Sequence, residues 1–469
     1  MLILVVLLAL VSLYLVNRFI KDKMSKLAIW IFVGWWFFWI GLSTLNLYKL
    51  YNVKPYIYLM LFLGIIMFFC GYILGDKTKL AVSKENPNNT MLTGCKYNEK
   101  KFFLYLQVLI IIILTYYFIK YKRVVSMVGA EEARLYRYSV GKVFESTIEI
   151  VFFNTFIEAF IIIAVILFSY LIVYKKYRQP SFILLGINIF LYTEIGSGRS
   201  IIIDILLYSI IFYLIMNKNK LFSYKIDRIK DFKFSKKRIY KYLPIVIFIM
   251  VVLSYLSWIT STRMGGSEFS IGALLSGFSE FFKQIILYFN GPFRAFQYGV
   301  ENYGEQIGLF YSRATFAGID EIVRNFIRVI GIDYMPANSI IGDILQNNQI
   351  PIGTSLMFNY AYTYLMIFYF DFKIVGIIIF PILYGFFIRI IIFIHEKERN
   401  IYSLMLLAFL INSMVYSVFK WPLQSPSAII VITIFYLFTY GKHLKILYGV
   451  KWNFRQVITV IRGKFLKYL

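Results

Sequence analysis

The stretch TEIGSGRSIIID, Thr193 to Asp204, sets one guanidinium, Arg199, beside two glycines and between two carboxylates, Glu194 and Asp204. A guanidinium held in one pose by carboxylates suits bidentate binding of a phosphate, which the ammonium of lysine does less well. Gly196 and Gly198 would let a ligand or a second backbone come close. A lone arginine at a helix end can equally snorkel to lipid phosphates. Arg263 repeats the pattern in SWITSTRMGGS, with hydroxyls before it and glycines after. In YFNGPFRAFQYG, Arg294 follows Gly291 and Pro292 and is framed by Phe293, Phe296 and Tyr298. Such rings pack against the apolar faces of sugars, and they are also ordinary at a membrane interface. Glu301, Glu305, Asp320 and Asp343 are the nearby carboxylates able to take a proton, although most acidic residues in a polar loop simply face water.

Several other chemistries are excluded or disfavoured. His395 and His443 fall in segments that read as facing the cytoplasm, so neither a Ser/His arrangement nor a histidine-based zinc site is expected at the opposite face. No phosphate-cradling G-x-x-x-x-G-K-[ST] loop is present, which argues against direct use of ATP. The acidic residues after Thr260 include no DxD-like pair for a metal-held nucleotide sugar. Cys70 lies in an apolar run and Cys95 in a lysine-rich loop, so no disulfide framework or metal motif is indicated. The sequence calls for no metal and no cofactor.

These residues have to be positioned by an oily chain. Of its 469 residues 60% are hydrophobic, and the mean hydropathy of +0.70 fits a polytopic membrane protein and not a soluble enzyme. The excess of 50 Lys+Arg over 24 Asp+Glu then points to cytoplasmic loops and anionic lipid, and not to nucleic acid. Apolar runs long enough to cross a ~30 Å hydrocarbon core lie near 2–16, 27–45, 56–75, 102–119, 147–173, 181–195, 200–216 and 242–259. The first reads as a retained span and not a cleaved signal, having no basic residue before it. Within the fifth, Glu149 and Glu158 are two and a half turns apart and point to opposite faces.

Orientation follows from Asn217 to Lys241, where ten basic residues face only Asp227 and Asp231, so this loop belongs in the cytoplasm. Alternation then puts the GSGR turn outside, together with the stretch from Thr260 to Leu356, which is net acidic. Its runs FSEFFKQIILYF and DEIVRNFIRVIGI have the spacing of amphipathic helices lying on the outer membrane surface. Further apolar runs lie near 357–370, 374–394, 401–419 and 426–440. The tail from Gly441 has seven Lys and Arg and no acidic residue, which places it on the cytoplasmic leaflet. That requires an odd number of crossings after the outer loop, so the run 357–370 is expected to re-enter or lie shallow. Eleven spans result, or twelve if a weaker run is miscounted. The fold expected is an all-α polytopic membrane protein: an N-terminal bundle over 1–259, a large helical extracytoplasmic loop over 260–356, C-terminal spans over 357–440 and a basic tail over 441–469.

With these residues in view, the chain resembles the Wzy-type O-antigen and capsule repeat-unit polymerases, over roughly 180–400. The resemblance is carried by the GSGRS turn, by Arg263 opening a large outer loop, by YFNGPFRAF, and by FNYAYTYLMIFYFDFKIVGIIIFPILYGF. In the last stretch Asn359, Tyr362, Thr363, Asp371, Phe372 and Gly376 stand where the family has an Asn/Tyr/Thr cluster and Asp-Phe-Gly, while Lys373 replaces the glycine. The resemblance implies a metal-independent glycosyltransferase of GT-C-like architecture in the bacterial cytoplasmic membrane, joining oligosaccharides borne on undecaprenyl diphosphate at the outer face. Arg199 and Arg263 would stabilise the departing diphosphate, with Glu301 as the candidate base. Arg294, Arg313, Glu194, Tyr298, Tyr362 and Asp371 would line the substrate site. Anionic lipid and a chain-length regulator protein are the further partners to consider. A glycan ligase would share the fold and arginines but is expected to carry an outer-face histidine. A flippase of lipid-linked sugars would gather its charges around a midplane cavity.

Overall fold

In a computed structural model the structure describes residues 1–77, 97–129, 132–133, 136, 141–176, 179–196, 200–222, 271–304, 308–345, 349–358 and 362–447. The chain is mostly helical: α1 (Leu2–Phe19), α2 (Lys23–Ser43), α3 (Pro55–Lys77), α4 (Tyr97–Val128), α5 (Thr147–Val173), α6 (Pro180–Gly196), α7 (Ser200–Leu221), α8 (Ile271–Tyr303), α9 (Ala317–Val329), α10 (Ala337–Leu345), α11 (Tyr364–Glu398), α12 (Ile401–Tyr416) and α13 (Pro426–Leu447). Among the described residues seven helices, α1 to α5, α7 and α11, are long and apolar enough to cross a membrane. Shorter apolar helices lie at Pro180–Gly196, Ile401–Tyr416 and Pro426–Thr439. The apolar run 242–259 lies outside the described residues.

Local chemistry sets the helix starts. The Asp22 carboxylate accepts the Ser25 amide at 2.6 Å to open α2, the Ser146 hydroxyl accepts the Glu149 amide at 3.3 Å to open α5, and Asn400 accepts the Ser403 amide at 2.8 Å to open α12. Helix α5 is not regular throughout. One π-turn, Phe153–Ile157, interrupts it just before Glu158 and shifts the phase of all that follows.

The run 357–370, expected to re-enter, does not form a straight helix. A short antiparallel hairpin, β1 (Ile350–Gly353) paired with β2 (Leu356–Phe358), leads towards the first half of α11. That half, 364–371, ends where Phe372 and Lys373 leave helical geometry. Residues 368 and 376 would lie ~12 Å apart along a straight helix. Instead a Cβ on Gly376 would stand 1.9 Å from the Phe368 carbonyl oxygen, so the short half folds back along the long one. Tyr364, Leu365, Met366, Ile367, Phe368, Phe370 and Asp371 are all buried, as an element apolar on every face must be.

Among the described residues, helices α3 and α11 pack most closely. Gly64, Gly71 and Gly75 line one face of α3, and there Leu365, Ile382 and Arg389 of α11 come into contact. Small residues let two backbones approach, which is how helices associate where lipid removes the usual hydrophobic drive. At the end of the bundle where α3 and α11 finish, Arg389 gives Nε and Nη2 to Asp76 Oδ1 at 2.8 and 2.6 Å, and His395 Nδ1 lies 2.9 Å from Ser403 Oγ. The opposite end carries α8, α9, α10 and the hairpin, and is the loop-rich end.

Helix α9 there is amphipathic. Its buried side meets α13, where a Cβ on Gly318 would lie 2.6 Å from the Ser425 carbonyl. On the other side Phe316, Ile319, Val323, Phe326 and Ile330 form an exposed apolar stripe at helical spacing.

Candidate functional site

The loop-rich end is organised around the segment YSVFKW, Tyr416 to Trp421, which begins at the last residue of α12. Tyr364, opening the fold-back half of α11, donates its amide to the Ser417 carbonyl at 3.0 Å. Trp36 Nε1 donates to Ser417 Oγ at 2.9 Å, and Trp35 Nε1 to the Val415 carbonyl at 2.9 Å. Trp421 Nε1 donates to the Thr315 carbonyl at 2.8 Å, and its ring packs on Tyr364, Phe368 and Tyr384. Thus α2, α11 and the loop before α9 all fix the position of one short segment.

Polar side chains converge beside it. Tyr416 donates its hydroxyl to Asp204 Oδ1 at 2.6 Å, and Asn412 Nδ2 reaches the same oxygen at 3.5 Å. Among the described residues no donor reaches Asp204 Oδ2. The buried Asn412 Oδ1 has no partner among them either. Lys420 is exposed, its ammonium 4.9 Å from the Tyr416 ring centre and 5.9 Å from that of Phe419. Its charge acts on both Asp204 and Glu158. Glu158, one residue past the π-turn, makes no hydrogen bond or ion pair among the described residues, and Glu321 of α9 is its other charged neighbour. The arrangement is therefore one exposed cation and two membrane-level carboxylates, framed by rings.

The residues expected to act are partly here and partly elsewhere. Arg199 and Arg263 lie outside the described residues, as do Glu305 and Asn359. Glu194, at the end of α6, pairs with Lys122 at 3.0 Å. Asp204, the other carboxylate of the GSGR stretch, is oriented by α12 as described.

Arg294 is a buried clamp. Its guanidinium donates to the carbonyls of Tyr51 at 2.9 Å, Asn290 at 3.1 Å and Ser43 at 2.8 Å, and to Asn46 Oδ1 at 3.0 Å. Four of its five N–H groups are thus held within the fold, and burial depresses its pKa to about 10. Two turns further along the same face of α8, Glu301 Oε1 accepts from Lys54 Nζ at 2.8 Å and the Tyr56 hydroxyl at 2.5 Å. Gln297, between them, accepts the Lys54 amide at 2.9 Å. This face docks the α2–α3 connection. Burial pushes the Glu301 carboxyl up, but Lys54 and Tyr56 outweigh it and leave it below its ordinary value, the wrong direction for a resting general base.

Arg313 donates to Asp320 Oδ1 at 3.3 Å and to the Met335 carbonyl at 2.6 Å, and stacks 4.8 Å from the Tyr334 ring centre. Asp320 also accepts from the Tyr334 hydroxyl and, at 2.7 Å, from the Ala337 amide, so this network closes the turn between α9 and α10. Asp371 receives the amides of Ala314 and Thr315 at 3.0 and 2.7 Å. Tyr298 is half-buried and meets Tyr303 edge-on at 5.8 Å, and Tyr362 is buried just before the fold-back half. Arg294, Arg313 and Asp371 therefore build the frame of this end, while Asp204, Tyr416 and Asn412 form a part-buried polar cluster beside it, with Lys420 exposed and Glu158 without a hydrogen bond among the described residues.

Lys420 and Tyr416 were not singled out in the sequence. The one local sign of them is a lysine set between aromatic residues just beyond an apolar run and before Pro422. Among the described residues no group of three or more His, Cys, Asp or Glu could hold a metal ion. No protein-family model, curated protein or solved structure matches this chain.

Proposed function

We propose that this protein is a membrane glycosyltransferase that joins oligosaccharide units carried on undecaprenyl diphosphate into a longer glycan, at the outer face of a bacterial cytoplasmic membrane. Such a substrate has three parts, and each makes its own demand: an apolar tail that stays in lipid, a diphosphate that needs positive charge, and sugars that need polar groups and rings. The observation that carries the reading is the cluster at the loop-rich end in which the charge of Lys420 acts on Asp204 and Glu158, and Tyr416 and Asn412 bond Asp204. Helix α9, whose Glu321 acts on Glu158, carries on its other side the exposed apolar stripe that runs from Phe316 to Ile330.

Departure of a lipid diphosphate develops negative charge on the glycosidic oxygen. Fixed cations in a partly dry site can stabilise that charge by several kcal/mol. Arg199, one residue before α7 in the sequence, and Arg263 are assigned this role on the sequence resemblance, with Lys420 added on its position. Attack by a hydroxyl of the second unit on the anomeric carbon completes the transfer.

The test is a deletion analysed for surface and carrier-linked glycan by mass spectrometry. Loss of a polymerase leaves a single repeat on the surface. Long chains retained on the carrier would instead identify a ligase, and absence of any surface repeat a flippase; either pattern overturns the proposal.

A further inference from the structure

We infer that Asp204 is the base that takes the proton from the attacking sugar hydroxyl, an assignment that rests on the glycosyl-transfer reading above. Most of the other candidate carboxylates at this end of the bundle are already engaged. Asp371 has both oxygens occupied by backbone amides, and Asp320 by a tyrosine, an arginine and an amide. Glu301 is locked to Lys54 and Tyr56, and Glu194 is paired with Lys122. Glu321 lies 3.8 Å from the guanidinium of Arg324. Glu158 is free of such bonds among the described residues, and none of these orients it.

Asp204 alone of these combines the two properties a base needs. One oxygen, Oδ1, is anchored by Tyr416 at 2.6 Å and by Asn412 at 3.5 Å, which fixes the plane of the carboxylate. The other, Oδ2, has no donor among the described residues and can receive a proton. Its anchors come from α12, a different helix, so the carboxylate is held across a helix–helix contact and does not swing with its own side chain.

The step balances without another reagent. The acceptor O–H bond breaks and its proton passes to Asp204 Oδ2, while the hydroxyl oxygen forms a bond to the anomeric carbon. The bond from that carbon to the diphosphate oxygen breaks, and its electron pair leaves on the undecaprenyl diphosphate. The proton is then released from Asp204 to water, restoring the carboxylate. Lys420 is placed to balance charge while the diphosphate departs.

The experiment uses the full-length protein in lipid with a purified undecaprenyl-diphosphate-linked repeat unit, following chain elongation against time. Asp204→Asn keeps an oxygen for Tyr416 and Asn412 but cannot take a proton. We expect kcat to fall about 10²- to 10⁴-fold with KM and thermal stability close to the parent, and Asp204→Glu to recover part of the rate. Tyr416→Phe, which leaves the carboxylate but frees it to rotate, lowers kcat about tenfold, the size of a lost orienting bond. That variant carries the test if Asp204→Asn fails to accumulate. A parent protein that elongates the unit while both variants do so at the parental rate overturns the assignment of Asp204 alone. A parent protein that does not elongate it overturns the glycosyl-transfer reading, and the assignment with it.

Discussion

The amide of Thr315 donates to Oδ2 of Asp371 at 2.7 Å, while that of Ala314 reaches Oδ1 at 3.0 Å. One buried carboxylate at the tip of the fold-back helix thereby holds the turn that leads into α9, and with it the position of Arg313. Asp371→Ala leaves two buried amides without an acceptor, each costing about 1–3 kcal/mol. We expect a loss of several degrees in the melting temperature of detergent-solubilised protein, with Asp371→Asn intermediate because its amide retains one oxygen. A melting temperature unchanged in the alanine variant would show that the turn is held by other means.

A second prediction concerns the contact between α3 and α11. A Cβ on Gly71 would lie 1.9 Å from the Ile382 carbonyl oxygen, and one on Gly385 would lie 2.0 Å from that of Phe68. Backbone cannot yield as a flexible side chain does, so either Gly→Ala change must push the helices apart. The expected cost is at least about 2 kcal/mol, read as reduced accumulation in the membrane. Gly34→Ala, on α2, meets no atom within 4 Å and serves as the control.

Lys373 occupies φ 53°, ψ −133°, a backbone region comfortable only for glycine, at the reversal between the two halves of α11. Its ammonium donates to the Gly304 carbonyl and sits 5.2 Å from the Tyr369 ring centre, so the side chain straps the reversal to the end of α8. Lys373→Ala loses the strap and keeps the strain, whereas Lys373→Gly loses both. The glycine variant should therefore be the more stable of the two by about 1 kcal/mol, the reverse of the usual helix preference. Thermal unfolding of the pair side by side decides it.

The docking of α8 on the α2–α3 connection should weaken in acid. Glu301 is held below the ordinary carboxylate value because the hydrogen bonds from Lys54 and Tyr56, with the Lys54 charge, outweigh its burial. A group depressed in the folded state stabilises it above its unfolded value and loses that contribution as pH falls through the folded one. The melting-temperature gap between the parent and Glu301→Gln should accordingly be present near neutrality and close as pH drops below the usual carboxylate range. A gap that persists at about pH 2 would mean that the effect of the substitution is steric.

Much of this architecture was legible in the sequence because its causes are local. The described spans follow apolar runs, and Asp22, Ser146 and Asn400 open helices by bonding amides three residues on. The run 357–370 was expected to re-enter or lie shallow, and its part 364–371 folds back along the rest of α11. Partnership is another matter. Arg294 could be recognised as an arginine among rings, yet only packing showed that its donors go to residues 43, 46 and 51, some 250 positions away.

The same distinction separates the two ends of the candidate site. Hydropathy and charge, which act over a few residues, determined that the chain enters a bilayer and where it turns. Which carboxylates are engaged among the described residues was decided by contacts between distant segments: Tyr416 reaches Asp204 across 212 positions, and Lys54, in the α2–α3 connection, reaches Glu301. A side chain's chemistry is written in its type, but whether that chemistry is available depends on which neighbours the folded backbone brings to it.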